Sequence, residues 1–294
     1  MNRQSNPTVL VQKPRWLRRQ LPTGSAYEKV KGMIKGEQLH TVCQEAKCPN
    51  MWECFSHKTA TFLIMGSRCT RNCRFCSVLT GPPEPPDPGE PARVADVVHR
   101  MGLNYVVVTS VSRDDLPDGG ASLFAETIEK IRRKMPDACV EVLIPDFQGS
   151  RQALYKVLQA RPDVLNHNIE TVARLYPRVR PQASYERSLM LIHRAHEYDA
   201  MLPTKSGLML GLGEKKAEVE KTLEDLLAAG CRLLTLGQYL QPSKNHLPVE
   251  RFIPPQEFEA WRKKAVKLGF AEVASGPFVR SSYHARELFQ EIKA

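Results

Sequence analysis

The sequence predicts an α/β protein: a partial, open barrel of about six βα units, with a cysteine-bearing extension before it and a short helix after it. Three observations predict this. Apolar or β-branched runs of strand length alternate with stretches of helical period, and prolines and glycines punctuate the boundaries between them. About six units rather than eight leave the barrel incomplete.

In chain order, strands are expected at 61–66, 105–109, 140–144, 164–169, 206–210 and 233–236, each a short run rich in Val, Ile, Leu or Thr. Helices are expected at 92–101, 121–135, 151–160, 184–198 and 216–229, between consecutive strands after the first, with two more at 255–267 and 283–292. Pro203 breaks the chain after one helix and Gly230 follows another. Residues 81–91 hold six prolines and read as a stiff, extended link into the first barrel helix. The expected division is 1–60 for the extension, 61–275 for the barrel and 276–294 for a C-terminal segment.

Composition narrows the function classes. Hydrophobic residues make up 42% and charged residues 25% of the 294-residue chain, enough to bury a large core. No apolar run reaches the ~18 residues of a membrane span, and no apolar signal core follows the N-terminus. The net charge is +10, and nearly all of it lies early: residues 1–80 carry 13 Lys/Arg against 4 Asp/Glu. That excess suits an acidic partner docking near the cysteines, or only a solvated face.

Six of the eight cysteines fall within 34 residues. In the cytoplasmic protein this composition predicts, such a group points to metal or catalysis rather than disulfides. Cys139 and Cys231 stand in apolar, strand-like settings and read as core. Cys69-Thr-Arg-Asn-Cys73-Arg-Phe-Cys76 follows the first predicted strand, at the end where barrels hold their active sites. Three thiolates around an iron–sulfur cluster leave one iron open, whereas four soft ligands close a metal site. This spacing lets one loop wrap three corners of a cubane, with Phe75 as an apolar face beside the open iron. Upstream lies a second triplet, Cys43, Cys48 and Cys54. Cys54 can also complete a structural zinc site, and the spacing alone leaves that reading open.

The Cys-x3-Cys-x-aromatic-Cys pattern after the first barrel strand resembles the radical S-adenosylmethionine superfamily. Further matches resemble its lipoyl synthase family: the Cys43, Cys48, Cys54 triplet ahead of the radical triplet, and Arg280-Ser281-Ser282-Tyr283-His284-Ala285 near the end. Lys13-Pro14-Arg15-Trp16-Leu17, Thr109-Ser110-Val111 with Arg113-Asp114-Asp115, and Asn166-His167-Asn168-Ile169-Glu170-Thr171 also fit. The likeness runs from about residue 13 to 290.

This resemblance implies a radical-SAM-type partial (β/α)6 barrel with an N-terminal cluster-binding extension, and a sulfur-inserting enzyme with S-adenosylmethionine as cosubstrate. It implies two 4Fe–4S clusters. Cys69, Cys73 and Cys76 hold the one that cleaves S-adenosylmethionine to methionine and a 5′-deoxyadenosyl radical. Cys43, Cys48 and Cys54 hold an auxiliary cluster that donates sulfur to C6 and C8 of an octanoyl-lysine. That cluster's fourth iron takes a serine oxygen, assigned to Ser282; a hard oxygen in a thiolate site is the weaker ligand and can leave. Without the resemblance, Ser281 and Ser282 read as a helix N-cap pair.

Cofactor contacts are expected at Phe75, Thr109, Ser110, Asn168, Glu170, Arg180 and Gly211. Asn168 and Glu170 alternate along one strand and suit ribose hydroxyls or the methionine amine, and the Arg180 guanidinium suits the methionine carboxylate. Gly211 belongs to Gly207-x3-Gly211-x2-Glu214, where Met209 stands in place of the usual isoleucine, and Thr109-Ser110 replaces the superfamily's common Gly-Gly-Glu. His167 reads as a satisfied interior histidine.

The implied partners are octanoylated lipoyl carrier domains, either acyltransferase subunits of 2-oxoacid dehydrogenases or glycine-cleavage H protein, and an electron donor such as ferredoxin or flavodoxin. Arg15, Arg18 and Arg19 are candidates for steering an acidic carrier. Neither nucleic acid nor a membrane is an expected partner. Two readings compete: a methylthiotransferase or biotin-synthase-like enzyme, and a zinc- or cluster-bearing nucleic-acid-binding protein using the basic arm.

Overall fold

Every second residue of a β-strand faces the same side, so a curled parallel sheet carries one set of alternate residues into its lumen. The computed structural model describes residues 13–18, 25–56 and 59–293. Its main sheet has eight strands in the order β1-β2-β5-β6-β7-β8-β9-β10. They are β1 (His40–Thr41), β2 (Thr61–Ile64), β5 (Tyr105–Ser110), β6 (Cys139–Leu143), β7 (Val164–Asn166), β8 (Thr204–Leu210), β9 (Leu233–Gln238) and β10 (Glu272–Gly276). A separate pair, β3 (Arg68–Cys69) and β4 (Leu79–Thr80), lies between β2 and β5 in sequence. Only β1 runs antiparallel, as a cap on the β2 edge. All the other neighbours in the main sheet are parallel.

The crossover helices are α4 (Glu90–Met101), α5 (Ala121–Lys134), α6 (Arg151–Gln159), α7 (Tyr176–Val179) with α8 (Tyr185–Tyr198), α9 (Lys216–Ala228) and α10 (Pro255–Leu268). Local signals start and stop them. Ser150 and Ser184 cap α6 and α8 by accepting the amides of Ala153 and Arg187. Gly102, at φ 66°, ends α4 in the left-handed region.

These helices complete the six expected βα units, and a seventh parallel strand, β10, then follows. Its sequence, Glu-Val-Ala-Ser-Gly, has a single β-branched apolar residue and no strand signal of its own; pairing along the whole of Leu233–Gly237 makes it a strand. Strand β7 ends at Asn166, three residues before the expected boundary. Beyond it the chain turns, with Glu170 at φ 62° and a lone bridge from Glu170 to Leu208. Before the barrel, α1 (Ser25–Gly36), α2 (Val42–Glu45) and α3 (Met51–Ser56) give the extension a helical structure that its sequence did not announce.

The lumen is stratified. At its lower end α11 (Ala285–Lys293) sets Phe289 against Val164 and Leu233, the first residues of β7 and β9, with Tyr105 and Cys139 beside them. The Tyr105 and Phe289 rings lie 5.8 Å apart. One step higher, Lys205 Nζ meets both Glu141 oxygens at 3.0 and 3.1 Å. Asn166 Nδ2 and the Tyr105 hydroxyl also donate to Glu141, at 2.9 and 2.6 Å. Above this layer the inward residues Thr109, Leu143, Gly207, Met209, Thr235 and Gly237 line a cavity.

Two stability predictions follow from these contacts. Both charged groups of the Glu141–Lys205 pair are buried, so Lys205→Met strands a carboxylate and should cost about 3–5 kcal/mol. Glu141→Gln combined with Lys205→Met should recover most of that loss in urea unfolding. Asp118 accepts from the Gly120 and Ser122 amides and from Lys156 Nζ. Although burial pulls the other way, its Ser122 and Lys156 partners hold its carboxyl down at about 2. An unfolded aspartate titrates near 3.9. The unfolded chain therefore binds more protons between about pH 4 and pH 2, so the stabilisation is complete above that window and vanishes as pH falls through it. With solvent screening, Asp118→Asn should cost about 1 kcal/mol near neutral pH and flatten that part of the acid-unfolding curve.

Candidate functional site

The cavity at the C-terminal ends of the strands has a volume of about 530 Å³, the size of a small-molecule site. All six clustered cysteines line it, together with Phe75, Thr109, Ser110, Asn168, Glu170, Arg180, Ser281 and Ser282. Gly211 does not. At φ 103°, with a Cβ position that would strike Gln238 and the Arg251 carbonyl, it stands behind the wall, and its amide donates to Glu214.

Backbone contacts frame the loop 69–76. Gly81 N donates to Cys69 O at 3.1 Å, closing the loop's base beside the β3–β4 pair. Thr70 N reaches Ser112 O, Arg74 N reaches Val179 O, and Leu247 N reaches Arg74 O. His246 Nε2 lies 2.8 Å from Cys76 O. Two amides, Ser112 N at 3.3 Å and Arg71 N at 3.4 Å, donate to the Cys69 sulfur. Arg71 itself is buried. It makes a two-pronged contact with Asp114, at 2.6 and 2.8 Å, and reaches Asp146 at 2.6 Å. Burial pulls against ionisation, yet Arg71 holds the Asp146 carboxyl down at about 2. The loop is thus riveted to the segments after β5 and β6 by a guanidinium between two carboxylates.

The second triplet comes from the extension. Cys43 lies in α2, whose cap Thr41 accepts from Gln44 N, and Cys48 N donates to Cys43 O at 3.0 Å. Cys54 lies in α3. The C-terminal segment is clamped to this triplet: Asn50 Nδ2 donates to Phe278 O at 2.7 Å, and the Tyr283 hydroxyl to Glu53 at 3.0 Å. It enters the lumen beside Gly237, where any Cβ would collide with the Val279 carbonyl. Neither serine caps α11. Ser281 is bonded to Asn168, and the hydroxyl of the half-buried Ser282 has no hydrogen-bond partner among the described residues.

The donors suit an iron–sulfur occupant. Burial pushes the Cys43 and Cys76 thiols up to about 12, and raises Cys73 against the opposing pull of Arg180. Protonated in isolation, they become thiolates when a soft cation binds them. Among the described residues no three His, Cys, Asp or Glu side chains are grouped to hold a single metal ion. The buried Ser110 Oγ and Arg180 Nε have no hydrogen-bond partner among the described residues and border the same cavity, as polar groups available to a polar occupant. Burial raises the Glu170 carboxyl, with Arg180 and Asn168 opposing.

Thr109 spends its hydroxyl on Leu143 O. His167 is a bonded interior histidine, held by Ile144 O and Ser188 and lowered to about 4 by burial and then by Arg180. Arg15 and Arg18 are exposed, while Arg19 lies outside the described residues. Sequence reasoning missed Arg71, Asp146, Asn50, Glu53, Gly237 and His246. Only the charged residues beside the triplets carried any signal; the rest acquire their meaning from distant partners.

Comparison with known proteins identifies the family and the fold. Residues 63–226 match the radical SAM superfamily model, and residues 2–48 match the N-terminal domain of lipoyl synthase. Lipoyl synthase from Rubrobacter xylanophilus is 54% identical, covering 96% of this chain and 88% of the relative. The enzyme from Desulfotalea psychrophila is 55% identical, covering 98% and 96%. Among solved structures, HydG, a maturase of the FeFe-hydrogenase, superposes with a TM-score of 0.58 at 17% identity, over 78% of this chain and 54% of that one. Methylornithine synthase gives 0.53 at 13% identity, over 71% and 62%. Both share the partial barrel, and the matches cover about half of the first and three fifths of the second. The chain belongs to the lipoyl synthase family of radical S-adenosylmethionine enzymes.

Proposed function

We propose that this lipoyl synthase carries two 4Fe–4S clusters in one cavity, with Cys69, Cys73 and Cys76 binding the first and Cys43, Cys48, Cys54 and Ser282 the second. The observation that carries this reading is the convergence of both triplets and the serine segment on a single cavity. When bound, the clusters and S-adenosylmethionine supply radical chemistry and the sulfur atoms; the chain supplies the rest.

Arg71 and its two aspartates fix the radical-cluster loop, and the Ser112 and Arg71 amides stabilise charge on the Cys69 sulfur. Ser110, Asn168, Glu170 and Arg180 are the proposed contacts for the S-adenosylmethionine polar groups, with Phe75 excluding water beside them; Thr109 supports that wall. Gly211 is proposed to shape the turn behind it rather than to touch the cofactor. Ser282, free of other bonds, is available as the exchangeable oxygen ligand. The boundaries 1–60, 61–275 and 276–294 separate the auxiliary-ligand extension, the barrel and the segment that covers the auxiliary site.

Exposed Lys13 and Lys47 stand at the cavity rim, with Arg15 and Arg18 exposed nearby in sequence. They support docking of an acidic octanoylated carrier domain, either a 2-oxoacid dehydrogenase acyltransferase subunit or glycine-cleavage H protein. A ferredoxin or flavodoxin is the proposed electron donor. No helix among the described residues is long and apolar enough to cross a membrane, and we assign the enzyme to the cytoplasm.

Anaerobic incubation with an octanoyl-lysine peptide, S-adenosylmethionine and a reductant should add two sulfur atoms to the peptide, read by mass spectrometry. The reconstituted chain should hold about eight irons; about four would overturn the two-cluster reading. Cys43→Ala should retain about half the iron, still cleave S-adenosylmethionine and insert no sulfur. Cys69→Ala should lose the cleavage itself.

A further inference from the structure

Ser281 and Asn168 lie 113 positions apart in the chain, yet their side chains close a two-way contact. Asn168 Nδ2 donates to Ser281 Oγ at 2.6 Å, and Ser281 Oγ donates to Asn168 Oδ1 at 2.9 Å. The same Nδ2 also reaches Glu170 Oε1 at 3.0 Å. Two glycines make room for this arrangement. A Cβ on Gly207 would stand 2.7 Å from Asn168 Oδ1, inside contact distance, so any larger residue there would displace the amide. A Cβ on Gly237 would occupy the position of the Val279 carbonyl, two residues before Ser281. The slot in the β8–β9 wall thus admits the C-terminal segment, and Asn168 fastens it there.

On either side of Ser281 the segment is held by the extension, through Asn50 to Phe278 O and Tyr283 to Glu53. Ser281 is where this segment is bonded to the turn after β7 that carries Asn168 and Glu170. Ser282 is the next residue, and its hydroxyl makes no bond of its own among the described residues, so where it stands is set by the backbone that Ser281 fixes.

We propose that Ser281 and Asn168 form a latch between the two halves of the site, with Ser281 a positioning residue that sets the location of the Ser282 oxygen. The cluster part of this inference rests on the reading of Ser282 as an auxiliary-cluster ligand; the latch itself rests on the contacts alone. The latch ties the auxiliary half to the wall facing the radical half, and so keeps the sulfur source and the proposed radical source at a fixed separation.

Arg280 offers a direct probe, because trypsin cleaves after arginine and the Arg280–Ser281 bond lies at the latch. Cleavage of a folded chain follows the population of the locally open form. In anaerobically reconstituted full-length enzyme, Ser281→Ala should be cut after Arg280 about tenfold faster than the unsubstituted chain, as expected for losing two hydrogen bonds. An iron chelator should strip the auxiliary complement faster by a similar factor.

Asn168→Ala should give the same acceleration, and the double variant should be no faster than either single one, the signature of a shared interaction. Ser281→Thr, which keeps the hydroxyl, should restore most of the protection. Unchanged cutting at Arg280 in both single variants would overturn the latch. So would equal acceleration at tryptic sites throughout the chain, since that marks general destabilisation. If Ser281→Ala fails to fold, Asn168→Ala alone still decides by the same readout. Should the unsubstituted chain hold only about four irons, the two-cluster reading fails, while cutting at Arg280 still judges the latch.

Discussion

Space inside the barrel is the constraint on which this site depends. A parallel sheet that curls without closing brings alternate residues of every strand into one narrow lumen, where each must pack, pair or be small. Here the layers differ in kind. Phe289 closes the lower end against the first residues of the strands, a buried carboxylate–ammonium pair forms the next layer, and glycines hollow out the one above. Because Gly207 and Gly237 carry no side chain, a segment from the end of the chain reaches the same cavity as the loop after the first parallel strand.

That arrangement joins residues far apart in sequence into one site. The radical triplet belongs to a loop of the barrel, the second triplet to the extension, and the serines to the C-terminal segment. Each is fixed by different chemistry. Arg71, between Asp114 and Asp146, holds the first by charge. Backbone bonds within α2 and α3 hold the second, and side-chain amide contacts hold the third. A buried charged network fastens the loop 69–76, whereas side-chain amides and the Tyr283 hydroxyl fasten the C-terminal segment.

Burial pushes the Cys43 and Cys76 thiols up to about 12. The Ser282 hydroxyl, with no hydrogen-bond partner among the described residues, borders the same cavity.

The chain alone determined a good deal. Six strand-length runs alternating with helical stretches specify parallel βα units, since parallel neighbours require a crossover. Two cysteine triplets and the Arg280-Ser281-Ser282 run, as local patterns, specified the chemistry. What they could not specify was contact between distant segments. Strand β10 exists because β9 offers it hydrogen bonds along its full length, and the extension folds into helices that pack beside the barrel. Ser281 and Ser282, chemically identical and adjacent, differ only in that Asn168 meets one of them. Such distinctions arise from the closure of the lumen, where non-local geometry, rather than the character of the residues, sets which groups are paired and which remain available.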